Sequence, residues 1–176
     1  MLSTLPPELL QLLSRQRWLL PVLARFDGVP GLRFAELLGR LGLPRDSLVR
    51  TLELARAQGW IARNPGHGHP LRPEYVLTAE GRAVAAIAAQ LAARLEGAGL
   101  APGDLTRWSL PALRAIALGA ERFNDLARAL APASPRALSQ TLQTLLANGL
   151  VAREVEDGFP PSSRYRLSEQ GRAVAV

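Results

Sequence analysis

Apolar positions along this chain fall into helical and alternating rhythms, and one order of rhythms runs twice. In the C-terminal half, residues 107–118 carry helical spacing and stop at Gly119. Residues 122–130 predict a short second helix, and Ala131-Pro132-Ala133 a turn. Ser134-Pro135 reads as an N-cap followed by proline at the first helical position. Residues 135–148 predict a third helix with Leu138, Leu142, Leu145 and Leu146 on one face, stopped by Gly149. Residues 150–154 predict a short strand, 156–163 a loop rich in turn residues, and 164–167 a returning strand. Ser168 caps a last helix. The order is helix, helix, turn, helix, strand, loop, strand, helix: a helix-turn-helix with a β-hairpin wing. A two-stranded ribbon is too small to stand alone, so it must pack on the helices.

The same order precedes it at a spacing of 90. Arg17-Trp18, Leu20-Pro21 and Leu23 recur as Arg107-Trp108, Leu110-Pro111 and Leu113. Arg33-Phe34, Leu37 and Leu41 recur as Arg122-Phe123, Leu126 and Leu130 at a spacing of 89. Gly81-Arg82-Ala83-Val84-Ala85 recurs as Gly171-Arg172-Ala173-Val174-Ala175. Over residues 44–86, 16 of 43 positions are identical to their counterparts, so the halves share a fold. In the first copy Gly42-Leu43-Pro44 is the turn, 45–58 the third helix, 64–73 the wing loop and about 78–96 the last helix. Val84, Ala88, Leu91 and Leu95 on that last helix form a stripe at heptad-like spacing, either intramolecular core or a dimer seam. The expected fold is mainly α with small β-hairpins (α+β), a tandem winged helix-turn-helix. Its domains are residues 1–96, with an N-terminal helix and a long closing helix, and residues 100–176.

Five runs in the second copy carry a resemblance. They are Arg107-Trp108 with Leu110 and Leu113; Arg122-Phe123-Asn124-Asp125-Leu126; Leu138-Ser139-Gln140-Thr141-Leu142; Gly149-Leu150-Val151-Ala152-Arg153; and Pro160-Pro161 followed by Tyr165-Arg166-Leu167-Ser168 and Gly171. Together they resemble the HxlR family of winged-helix regulators, relatives of the MarR family. The likeness covers nearly all of 107–173 and, more loosely, 17–85. It implies transcription regulators that are usually single-unit dimers on pseudo-palindromic DNA, many of them sensing oxidants through a cysteine near the first helix. This chain departs twice, with two units in one chain and no cysteine.

Composition sharpens that picture. Lysine is absent and all 21 basic residues are arginine, against 15 acids, for a formal net charge of +6. All-arginine usage fits a GC-rich genome, and arginine also suits phosphates and guanine edges through its planar fork. The absence of cysteine excludes a disulfide framework, a thiolate zinc site and a thiol switch. No basic stretch followed by an apolar core opens the chain, and no run reaches ~18 apolar residues, so a membrane span is not expected. The expected location is the cytoplasm, in association with the nucleoid.

In such a fold the third helix enters the major groove. In the second copy its polar face is Arg136, Ser139, Gln140 and Gln143, and no acid occurs from Ser134 to Asn148. Arginine pairs with guanine and glutamine with adenine. Thr144 and Thr141 are expected to reach phosphates, and Ser134 is a further DNA-binding candidate. In the first copy the corresponding face is Asp46, Val49, Arg50 and Glu53, with Arg45 and Arg56 alongside, so two carboxylates weaken it as a reader. The wings reverse the bias. The first holds His67, His69 and Arg72; the second holds Glu154, Glu156 and Asp157, with Ser162, Ser163 and Arg164 as its favourable groups.

No cofactor, metal or catalytic role is expected. His67 and His69 are the only histidines, and no nucleophile–base pair or phosphate-binding glycine loop accompanies them. Expected partners are double-stranded DNA, bound by a monomer with a pseudo-two-fold repeat or by a homodimer, and a protein through the first domain. The rival reading is a tandem winged-helix protein–protein scaffold, favoured by the acids on the first recognition helix and the second wing. Trp18, Trp108, Phe34, Phe123, Tyr75 and Tyr165 recur in register and read as core.

Overall fold

A computed structural model of the chain describes residues 2–64, 74–156 and 162–175. It is mainly helical with small antiparallel sheets. Among the described residues no helix is long and apolar enough to cross a membrane. Two compact units form, Gln16–Ala93 and Met1–Arg15 with Arg94–Val176. The sequence boundary differs at one end, because the N-terminal segment clusters with the second copy and not the first. Helix α1 (Pro7–Arg15) shows why. Its Leu10 and Leu13, and Leu2 from the 3-10 turn before it, are fully buried, and this segment packs on the first helix of the second copy.

Residues Gln16–Ala93 hold α2 (Leu19–Ala24), β1 (Gly31–Arg33), α3 (Phe34–Leu41), α4 (Arg45–Ala57), β2 (Ile61–Arg63) and β3 (Glu74–Leu77). Helix α5 (Ala79–Gly97) begins there and ends in the second unit. Helix α4 turns Leu48, Thr51, Leu52 and Ala55 inward, one helical face against a core that includes Leu20, Leu23, Phe26 and Leu37. The stripe Val84, Ala88, Leu91 and Leu95 is buried within the chain, the intramolecular alternative of the two.

The second unit adds α6 (Ser109–Ala117), α7 (Phe123–Ala129), α8 (Pro135–Ala147), β4 (Val151–Glu156), β5 (Ser162–Leu167) and α9 (Glu169–Ala175). Arg114 on α6 donates from Nε to the Leu5 carbonyl at 3.0 Å, which fixes the N-terminal segment to it. Leu138, Thr141, Leu142 and Leu145 face inward from α8, while Leu146 is only half-buried.

The sheets differ between copies. The first has three strands in the order β1-β3-β2, where a two-stranded ribbon is expected. Strand β1 pairs Leu32 with Tyr75, and Gly31 lets the backbones close, since a Cβ there would stand 3.0 Å from the Tyr75 carbonyl oxygen. In the second copy the matching Ala120 spends its N–H on the Ala115 carbonyl (3.0 Å), which closes α6. Pairing then shrinks to Tyr165 N–H on the Glu121 carbonyl (2.7 Å) and one bridge between Arg122 and Arg164.

One junction is the same in both copies. Gly59 and Gly149, at φ 73° and 66°, end the third helices. Thr78 Oγ1 donates to the Gly59 carbonyl at 2.7 Å and accepts from Gly81 N–H at 2.9 Å. Ser168 Oγ likewise donates to Gly149 O at 2.6 Å and accepts from Gly171 N–H at 2.9 Å. The closing helices then lie directly on the backbone that leads from each third helix into its hairpin. A Cβ on Gly81 would sit 1.8 Å from Trp60 O, and one on Gly171 1.9 Å from Leu150 O. Gly171→Ala is therefore expected to destabilise the protein by about 1–3 kcal/mol through forced displacement. Gly39→Ala, in α3 with nothing within 4 Å of the new carbon, stabilises by about 0.5–1 kcal/mol. Urea unfolding of the two variants measures both; equal midpoints would refute the close approach.

Candidate nucleic-acid interface

The third helix of the second copy is set by its ends. Ser134 Oγ accepts from Ala137 N–H at 3.2 Å, and Pro135 starts the helix. With the apolar stripe turned inward, Arg136, Ser139, Gln140 and Gln143 are all exposed on the opposite side. None of these four side chains has a hydrogen bond or ion pair among the described residues. Two threonines expected near phosphates are otherwise engaged. Thr141 is buried, its hydroxyl 2.8 Å from that of Thr106, in a cluster that includes Ser109. Thr144 donates to the Gln140 carbonyl at 3.0 Å.

The third helix of the first copy exposes Arg45, Asp46, Val49, Arg50, Glu53 and Arg56. Arg50 reaches back to the Asp46 carbonyl at 3.3 Å, and the Arg45 guanidinium stands 4.9 Å from the centre of the Phe34 ring. The two acids sit among these cations on the outward face of α4.

His67, His69 and Arg72 of the first wing, and Asp157 of the second, lie outside the described residues. The described part of the second wing is a lattice of ion pairs. Arg164 pairs with Glu121 (3.2 Å) and Glu156, and Arg122 also reaches Glu156 (3.1 Å). Arg166 contacts Glu154 at 3.2 Å and Glu121 at 3.5 Å, and Arg153 donates to Ser163 Oγ at 2.9 and 3.0 Å. Arg164, expected to support phosphate contact, is thus held between two glutamates. Glu121 is the residue that sequence reasoning missed; its partners are 43 and 45 positions away, beyond any local pattern.

The recurrent aromatics divide. Tyr75 and Tyr165 are buried, as expected. Trp18, Trp108, Phe34 and Phe123 are only half-buried, and Arg17 and Arg107 lie 5.0 and 5.2 Å from the tryptophan ring centres. The fully enclosed tryptophan is Trp60, replaced by Leu150 in the second copy. Among the described residues no cluster of His, Asp or Glu could hold a metal.

The Ser162 hydroxyl bond (2.8 Å), then Arg164 and Arg122, hold the Glu156 carboxyl below its ordinary value. Its bonds to Glu121 and then Glu156 raise Arg164. The contribution of Glu156 to stability is therefore present above the usual glutamate range and disappears as pH falls through its lower folded-state value. Carbon-detected NMR titration should find Glu156 below the ordinary glutamate value, and Arg164→Gln should move it upward. An unshifted Glu156 contradicts the lattice.

The profile of the HxlR-like helix-turn-helix family matches twice, over residues 13–98 and 105–176. Three relatives carry the description uncharacterized HTH-type transcriptional regulator. YtfH of Escherichia coli K12 is 34% identical over 70 residues, 40% of this chain and 56% of its own. YtcD of Bacillus subtilis is 32% identical over 68 residues, 39% of this chain and 54% of its own. YvaP of the same organism is 33% identical over 69 residues, 39% of this chain and 64% of its own. The chain thus spans between about half and two thirds of the length of these relatives. With both copies matched, and both built as helix-turn-helix units with a β-sheet behind the third helix, the chain belongs to the HxlR-like helix-turn-helix family.

Proposed function

We propose that the protein is a non-catalytic transcription regulator that binds double-stranded DNA sequence-specifically, with α8 as its main base reader. The supporting observation is the outward face of α8: Arg136, Ser139, Gln140 and Gln143, exposed, unpaired among the described residues and free of acids. Arginine and glutamine are the side chains that pair bidentately with guanine and adenine, each pair worth ~1–3 kcal/mol of discrimination. Ser134 and Thr144 flank this face. The family membership and the regulator descriptions of its relatives support the same reading. In the first copy Arg45 and Arg50, and His67, His69 and Arg72 from its wing loop, are the groups that would approach DNA. One chain carries two helix-turn-helix units, so a monomer covers two adjacent segments of duplex about 10 base pairs apart, or a homodimer a longer site.

A second reading is a protein–protein scaffold in a chromosome or transcription complex, with a partner on the first domain. The exposed Asp46 and Glu53 on α4 and the self-neutralised second wing favour it.

Arg136→Ala combined with Gln140→Ala should abolish the preference for sites selected from genomic DNA while leaving binding to random duplex at low salt. A full footprint retained by the double variant would overturn the assignment of α8. Binding that does not weaken as salt rises would favour the scaffold.

A further inference from the structure

The first copy contains a groove of about 780 Å³ between its third helix, the start of α3 and the sheet. Four arginines line it, Arg33 from β1, Arg45 and Arg56 from α4, and Arg63 from β2. Two carboxylates, Glu36 and Glu53, share the lining. Glu36 is committed locally, accepting from the Arg33 backbone N–H at 2.8 Å. No ion pair forms to any of the four arginines among the described residues, where every ion pair lies between residues 121 and 166 of the second copy.

The second copy lacks this arrangement. Arg122, the counterpart of Arg33, is paired with Glu156. Arg153, the counterpart of Arg63, donates to Ser163. Pro135 and Leu146 stand where the first copy has Arg45 and Arg56. The fold is common to both copies, so the unpaired arginines are a property of the first one alone. Residues 16–93 also carry ten arginines against six acids.

We infer that this groove is an anchoring site for the backbone phosphates of duplex DNA, indifferent to base sequence. The inference rests on the DNA-binding reading and assigns the first copy a separate task within it. Guanidinium forks match phosphate oxygens bidentately and stay charged at any physiological pH. A small anion has too few oxygens to satisfy four guanidiniums spread over three elements around such a volume, whereas consecutive phosphates along a strand do so. The acids on α4 make that helix a poor reader of bases without preventing backbone contact by the arginines beside it. The first copy anchors and the second copy reads.

The test uses the full chain with labelled duplexes, one of random sequence and one selected for specific binding, in anisotropy titrations across a salt series. Arg56→Gln with Arg63→Gln should weaken binding to both duplexes by the same factor. It should also reduce the slope of log affinity against log salt by about 2, near 0.9 per lost phosphate contact. Arg25→Gln with Arg82→Gln removes equal charge from exposed sites outside the groove and should leave the slope close to wild type. Glu53→Gln, which removes a groove carboxylate, should tighten binding to both duplexes several-fold. An unchanged slope in the groove variant, an equal loss in the charge-matched control, or no gain from Glu53→Gln each overturns the anchoring site. A groove variant that loses only the selected duplex makes the first copy a base reader and overturns it as well. Wild-type protein that binds neither duplex overturns the DNA reading itself, so the two failures are distinguishable.

Discussion

One hydroxyl in each copy holds three elements together, and the rest of each winged helix depends on it. Thr78 and Ser168 each donate to the carbonyl at the end of the third helix and accept from the first turn of the closing helix. The backbone N–H of the same residue bonds to the carbonyl of Trp60 or Leu150 (3.0 and 3.1 Å), at the entry to the hairpin. The third helix, the returning strand and the closing helix are thereby fixed at one point. Glycine at 81 and 171 is the steric condition for it, since any side chain carbon would strike the Trp60 or Leu150 backbone. The axis of the third helix relative to the sheet is set here, and with it the side of the helix left facing outward.

On that shared frame the two copies have taken opposite electrostatic courses. The second keeps its third helix free of acids and binds Arg164 and Arg166 of its wing to its own glutamates. The first carries acids on its third helix and leaves the arginines around it without carboxylate partners among the described residues. Exposed ion pairs contribute little to stability, typically 0–1 kcal/mol each. Their larger effect in the second wing is to remove positive potential from a surface where winged helices ordinarily meet DNA.

What was legible in the sequence was what local chemistry decides. Helix α8 is bounded by Ser134-Pro135 and Gly149, signals within two residues of the ends they set, and its apolar spacing alone fixes which residues face out. The features that escaped depend on distant partners. Strand β1 has only three residues and exists because β3, more than 40 positions later, pairs with it. Thr141 looked free to reach phosphate until Thr106, 35 residues earlier, took its hydroxyl. The N-terminal segment looked like part of the first copy because it adjoins it in sequence. Nothing in the apolar pattern of α1 names the helix that buries it.

That misplaced segment has a consequence for how the protein is made. Leu5 and Arg114, joined in the second unit, are 109 residues apart. At bacterial or eukaryotic synthesis rates of ~5–20 residues per second, the opening segment leaves the ribosome on the order of 5–20 s before its receiving helix exists. Throughout that interval Leu2, Leu10 and Leu13, all buried in the finished protein, have no surface to cover them. The first winged helix is free to form around its own core meanwhile. The second copy closes only when this segment meets α6, so a segment made before the first copy takes its place after that copy is free to form.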